Sequence, residues 1–152
     1  MFPPEMIERA TALLNLYHEK GLMLASAESC TGGLIMACLT AIAGSSATVE
    51  RGFVTYSNEA KNEAIGVDMN LGALTHSRAD AAVSVTGVAG PGGGTADKPV
   101  GLVYIGGARL GTRQPYVERH IFKGDRTEVR HATVLAAFGM LEKLAEHREP
   151  EG

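Results

Sequence analysis

Residues Leu22–Ile42 read LMLASAESCTGGLIMACLTAI, and the reading of this stretch decides the fold. Leu22 to Ala27 is short and apolar, the signature of a buried strand. Ser29-Cys30-Thr31-Gly32-Gly33 breaks the run with small residues, and an apolar helix is predicted from about Leu34 to Ile42. Strand, small-residue turn and helix in that order make the first half of an α/β unit. From Gly21 to Ala60 only Glu28, Glu50, Arg51 and Glu59 are charged, so the stretch is expected to be largely interior.

The flanking segments extend the pattern. A helix is predicted over residues 4–20, opened by Pro3 and Pro4 and stopped by Gly21, with Met6, Ile7, Ala10, Leu13, Leu14 and Tyr17 on one face. Arg51–Ser57 reads as a second strand, Asn58–Ile65 as a short helix and Ala81–Val88 as a third strand. Val100–Ala108 and Tyr116–Phe122 read as two more. Asp125 with Glu128 three residues on forms a capping-box start to a long last helix. Its buried face is expected at Val129, Ala132, Ala136, Met140 and Leu144, and the tail 147–152 is expected to fray. Alternating strands and helices predict a three-layer α/β/α sandwich with a mixed, largely parallel sheet, in a single domain spanning 1–152.

Composition narrows the function. The 152 residues are 45% hydrophobic and 20% charged, enough apolar side chains to bury a core. Fourteen Lys and Arg against seventeen Asp and Glu leave −3, which is no footprint for nucleic acid or an anionic membrane. Two cysteines, Cys30 and Cys38, and five histidines without ligand spacing give neither a disulfide scaffold nor a metal site. No apolar run nears the roughly 20 residues of a membrane span, and the start MFPPEMIERA has no signal-peptide pattern, so a cytoplasmic protein is expected. Nine of the 19 glycines fall between Gly87 and Gly111, a clustering that points to turns where backbone approaches something closely.

Four words carry candidate chemistry. AESCTGG (27–33) puts side chains and bare N–H groups at the end of a strand, where open α/β sheets bind ligands; it equally fits an ordinary turn with Ser29 or Thr31 as helix cap. It is not a Walker loop, because no lysine follows the glycines. Lys61 of TYSNEAK (55–61) fits a base, if a poorly solvated pocket strips its proton, or a solvated surface lysine. TGVAGPGGGTADKPVG (86–101) fits a loop that aims N–H groups at an anion, or a plain hairpin connection. Arg126 of GDR (124–126), with Arg130 one turn later, fits a phosphate clamp or a salt-bridged surface arginine. Cys30 is the fallback nucleophile.

In order, AESCTGG, GSSA (44–47), RGFVTYSNEAK (51–61), VTGVAGPGGGT (85–95), KPVG (98–101) and FKGDR (122–126) closely resemble the C-terminal domain of the CinA family. That family contains bacterial nicotinamide-nucleotide amidases, which hydrolyse nicotinamide mononucleotide to nicotinate mononucleotide and ammonia. The resemblance covers nearly the whole chain. It implies a metal-free serine–lysine amidohydrolase without cofactor, with Ser29 as nucleophile, Lys61 as its base and Tyr56 beside them. Substrate contacts are implied at Thr31, Gly32, Gly33, Ser46, Thr86, Gly87, Gly90, Gly93 and Arg126, the arginine on the phosphate. Backbone N–H groups of 31–33 or of 87–94 would form the oxyanion site. The implied partner is a small nucleotide substrate, with no nucleic acid and no membrane, in a homo-oligomer with a dimer favoured. The alternative is a non-catalytic nucleotide-binding or partner-interaction module of the same fold.

The sequence departs from the family pattern at Val49, where an aromatic usually follows GSSA, and at Leu102, where a threonine often follows KPVG. Between Val67 and Asp80 only DMNLGALTHSRA intervenes, and Leu71–Leu74 resembles the final turn of a helix whose earlier part is missing. We expect the natural polypeptide to carry a further stretch near residue 70. Intact-mass measurement of the natural protein should then exceed the mass of these 152 residues, and an equal mass would exclude it.

Overall fold

The computed structural model describes residues 1–57, 59–60, 69–112 and 114–147. Helix α1 (Pro4–Glu19) carries proline in its first turn and buries Met6, Ala10, Leu13, Leu14 and Tyr17. Strand β1 (Leu24–Glu28) is buried at every residue, as expected of a central strand covered on both faces. Then follow α2 (Leu34–Thr40), a short 3₁₀ turn (Ser45–Ala47) and β2 (Val49–Val54). Helix α3 (Met69–Thr75) and strand β3 (Ala81–Gly87) come next. Strands β4 (Leu102–Arg109) and β5 (Tyr116–Ile121) precede the long α4 (Arg126–Glu146).

The five strands form one sheet in the order β2-β1-β3-β4-β5. β1 pairs in parallel with β2 and β3, while the β3–β4 and β4–β5 pairings are antiparallel. Four strands therefore point one way and β4 the other, which makes the sheet mixed and largely parallel in direction. Val83, Val85, Val103 and Ile105 share one buried cluster with α1, α2 and α4. Ala25, Ala27, Ala82 and Ala108, on the opposite pleat, pack with Ala73 and Leu74 of α3. The small residues on that second face let α3 lie close against the sheet. No helix among the described residues is long and apolar enough to cross a membrane.

Several boundaries and faces differ from expectation. Strand β2 starts two residues before Arg51 and stops at Val54, with one further bond to β1 from Thr55 N–H to Glu28 O. The capping box of α4 is complete, with Asp125 accepting from Glu128 N–H and Glu128 accepting from Asp125 N–H. The buried face of α4 runs through Val129, Thr133, Val134, Ala137, Phe138, Leu141 and Leu144, not through Ala132 and Ala136. Successive steps of four residues drift around a helix of 3.6 per turn, and α4 is buried over a wide arc between the sheet and α1. Helix α3 was signalled only by the likeness of 71–74 to a helix end. The expected helix 58–65 has only Glu59 and Ala60 described, both helical. The frayed tail is corrected at its first residue: His147 bonds Tyr116 through its ring and Arg109 through its carbonyl. Residues 148–152 lie outside the described residues; of the stretch 67–80 where a further segment was expected, residues 69–80 are described.

Two buried acids set an alkaline limit. Burial pushes the Cys38 thiol up from its usual 9.0 to about 11, and burial raises the Tyr17 phenol, which donates to Leu141 O at 2.7 Å. Below pH 9 both groups hold their protons in either state. Above it the unfolded chain releases protons that the native chain keeps, so native stability is lost as pH rises from 9 towards 11. Chemical denaturation should give a lower unfolding free energy at pH 10.5 than at pH 8.

Candidate functional site

The topology gathers the candidate segments at one edge of the sheet. The C-terminal ends of β1, β2, β3 and β5 and the start of β4 all lie there. The chain leaves β1 towards β2 on one side and later places β3 on the other, so a crevice opens beyond β1 at the point where strand order reverses. Ser29 stands at the mouth of that crevice.

Register fixes its neighbours. Glu28 is level with Val54 and with Val85. One residue further on, Thr55, Ser29 and Thr86 stand side by side, held by Thr55 N–H to Glu28 O at 2.9 Å and Ser29 N–H to Val85 O at 3.1 Å. Thr86 is level with Tyr104 and Tyr104 with Arg119, so one row crosses the sheet from Thr55 to Arg119. Ser29 is 7% exposed, and its hydroxyl has no hydrogen-bond partner among the described residues. The buried Thr55 hydroxyl is likewise unpartnered among them.

On the opposite pleat, the fully buried Glu28 carboxylate organises the turn. It accepts from Thr31 Oγ1 at 2.7 Å, Ile35 N–H at 2.9 Å, Met36 N–H at 3.1 Å and Ser26 Oγ at 3.3 Å. Two of these donors belong to the first turn of α2, which lacks intrahelical acceptors for them. Arg130 ties the same turn from α4, donating to Cys30 O at 3.3 Å and Thr31 O at 2.9 Å. The guanidinium expected on a phosphate is thus turned to backbone carbonyls. Gly33 has φ +103, a conformation that favours glycine, and so bends the chain into α2.

The N–H groups divide into spent and open ones. Gly32 N–H is spent on Ser29 O at 2.9 Å, so it is no candidate oxyanion donor. Thr31 and Gly33 N–H have no acceptor among the described residues.

The glycine-rich connection 88–101 is a folded turn. Val88 N–H bonds Leu102 O, Gly101 N–H bonds Val88 O, and Thr95 and Lys98 close a tight turn. Gly90 has φ +84, and a Cβ there would lie 2.5 Å from Val100, so glycine is required. Arg126 reaches over this loop, donating to Gly90 O at 2.7 Å and to Tyr56 Oη at 3.2 Å. Beside it lies a cavity of about 540 Å³ lined by Ala89, Pro91, Val100, Asp125 and Arg126. A smaller hollow of about 230 Å³ opens between Thr86, Gly87, Lys98, Leu102 and Tyr104.

The edge therefore assembles Ser29, Thr31, Gly32, Gly33, Tyr56, Thr86, Gly87, Gly90 and Arg126, with Gly93 in the same loop. Ser46 is a correction. It sits in the 3₁₀ turn before β2, and Leu24 N–H bonds Thr48 O there, at the start of β1. About 16 Å of strand separates that end from Ser29. Lys61 lies outside the described residues. Sequence reading missed Glu28, whose signal was a lone charge inside an apolar stretch.

The CinA C-terminal domain model matches residues 7–71 and 63–145. The chain belongs to the CinA C-terminal domain family. This CinA domain is 44% identical to a CinA-like protein of Geobacter sp. (strain M21), over 93% of the chain but 38% of that protein; it spans well under half of several such relatives. It is 40% identical to the nicotinamide-nucleotide amidohydrolase PncC of Escherichia coli (strain K12), over 93% of the chain and 95% of that protein. The structure of competence/damage inducible protein CihA from Agrobacterium tumefaciens superposes with a TM-score of 0.86 at 46% identity, covering 95% of this chain and 98% of that one. A CinA superfamily protein from Klebsiella pneumoniae gives 0.87 at 34% identity, covering 93% and 99%.

Replacing Glu28 by glutamine sets an amide N–H₂ against donors that need an acceptor, at a cost of about 2 kcal/mol. Glu28→Gln should lower Tm by roughly 4–8 °C and speed hydrogen exchange at Ile35 and Met36; an unchanged melt would show the carboxylate to be dispensable.

Proposed function

We propose that this CinA domain is an amidohydrolase that converts nicotinamide mononucleotide to nicotinate mononucleotide and ammonia. The observation that carries the reading is Ser29, whose hydroxyl is unengaged among the described residues at the strand-order reversal. The N–H groups of Thr31 and Gly33 in the turn that follows have no acceptor among the described residues. The likeness to PncC over nearly the full length of both chains supports the choice of an amide substrate.

In this reading Ser29 Oγ attacks the carboxamide carbon while its proton passes to Lys61, the base implied by the family words. A serine hydroxyl needs such a base to act as a nucleophile, and an amine with a lowered pKa serves. The carbonyl oxygen gains charge and takes hydrogen bonds from the open N–H groups. One such donor typically contributes about 3 to 4 kcal/mol to lowering the barrier. The C–N bond breaks as Lys61 returns the proton to the leaving nitrogen, which departs as ammonia. Water then hydrolyses the acyl-serine, yielding the carboxylate and free Ser29. Arg126, which donates to Tyr56 Oη and to Gly90 O of the glycine loop, holds the rim of the site.

Wild-type protein should release ammonia from nicotinamide mononucleotide in buffer containing chelator. Ser29→Ala should lower kcat by at least about 10³-fold with the melting temperature retained. Retained turnover in Ser29→Ala would move the nucleophile to Cys30 or to a water, and stoichiometric binding without ammonia release would make the domain a binding module.

A further inference from the structure

The row of side chains that starts at Thr55 does not end at Ser29. It continues through Thr86 to Tyr104 and Arg119 on the outer face of β4 and β5. The smaller hollow lies along this row, with Leu102, only 3% exposed, and the half-exposed Tyr104 in its lining, and Lys98 among its lining residues. Adjacent strands are about 4.8 Å apart, so Tyr104 stands two spacings, about 10 Å, from Ser29. A pyridine ring followed by a ribose spans that kind of distance between a carboxamide at Ser29 and a phosphate beyond.

The charges at the far end suit an anion. Neither Lys98 nor Arg119 forms an ion pair among the described residues. By contrast, the guanidinium of Arg126 in the larger cavity already donates to Gly90 O and Tyr56 Oη, and Asp125, whose carboxylate caps the last helix, lines the same wall. A dianion placed there meets a partly engaged cation and a negative neighbour. On the outer face it meets two uncommitted cations and a phenol donor, with an apolar ring to carry the sugar.

We propose that Lys98, Tyr104 and Arg119 form the subsite for the phosphate-bearing arm of the substrate, on the outer face of the sheet. This rests on the amidase reading above and replaces Arg126 in the phosphate role. Lysine supplies a point charge to phosphate, arginine a fork of donors. The subsite makes the enzyme select a nucleotide over the same nucleoside without phosphate, while the carboxamide chemistry at Ser29 is common to both.

Ammonia release is measured from nicotinamide mononucleotide and from nicotinamide riboside, in wild type, Lys98→Gln and the Lys98→Gln/Arg119→Gln double variant. Both side chains are exposed, so the variants keep the fold. The nucleotide-to-nucleoside ratio of kcat/KM should fall about tenfold in Lys98→Gln and further in the double variant, mainly through KM. An unchanged ratio in the double variant overturns the subsite. If wild type releases ammonia from neither compound, the amidase reading fails and calorimetry with nicotinate mononucleotide judges the subsite alone. Binding by wild type that weakens about tenfold or more in the double variant upholds it; equal affinity, or no binding by wild type, overturns it.

Discussion

The buried carboxylate of Glu28 is the interaction on which the site edge depends. A charge taken out of water at the end of a central strand is costly unless every lone pair finds a donor. Here it meets Thr31, Ser26 and the first amides of α2. Because α2 is short, with a left-handed glycine and no side-chain hydrogen bond at its N-cap, those amides would otherwise be orphaned inside the protein. Strand, turn and helix are thus locked by one group, and Ser29 is the residue left pointing to the other side. The position of the nucleophile follows from the pleat: if Glu28 must face inward to the helix, Ser29 faces outward to the crevice.

A second constraint is the way α4 joins loops that are remote in sequence. Arg126 and Arg130 are one turn apart, and each bonds a different loop, Gly90 with Tyr56 in one case and Cys30 with Thr31 in the other. The glycine loop, the end of β2 and the turn after β1 are referenced to a single rigid element. Hydrogen bonds from charged donors to buried carbonyls are stronger than neutral ones, which suits them to fixing loops that lack ladder bonds of their own.

What could be read from the residues and what could not follow from physical range. Local rules succeeded: the Pro4 start of α1, the Asp125–Glu128 capping box and the buried strand before AESCTGG depend on neighbours within a few positions. The same rules failed where tertiary packing decided. The buried stripe of α4 shifted because two layers cover it. Ser46 fell at the wrong end of the sheet because a word matched in a family pattern carries no information about which edge its loop occupies. The strand order, and with it the Ser29–Thr86–Tyr104–Arg119 row, needed pairing partners far apart in the chain, such as Glu28 with Val85. Lys61, the implied base, belongs to the part of the chain that is not described.

The far end of α4 has its own anchor. Arg109, the last residue of β4, donates to the carbonyls of Leu144, Ala145 and His147, at 2.8, 3.2 and 3.1 Å. These are the carbonyls a helix leaves unsatisfied at its end. A 21-residue helix is about 31 Å long, so Arg109 fastens the butt of a strut whose tip carries the two arginines that bond the loops at the crevice. Lengthening or shortening α4 by one residue would turn the tip by about 100° while the butt stayed fixed. Helix length is therefore as strictly constrained as any residue in the crevice itself.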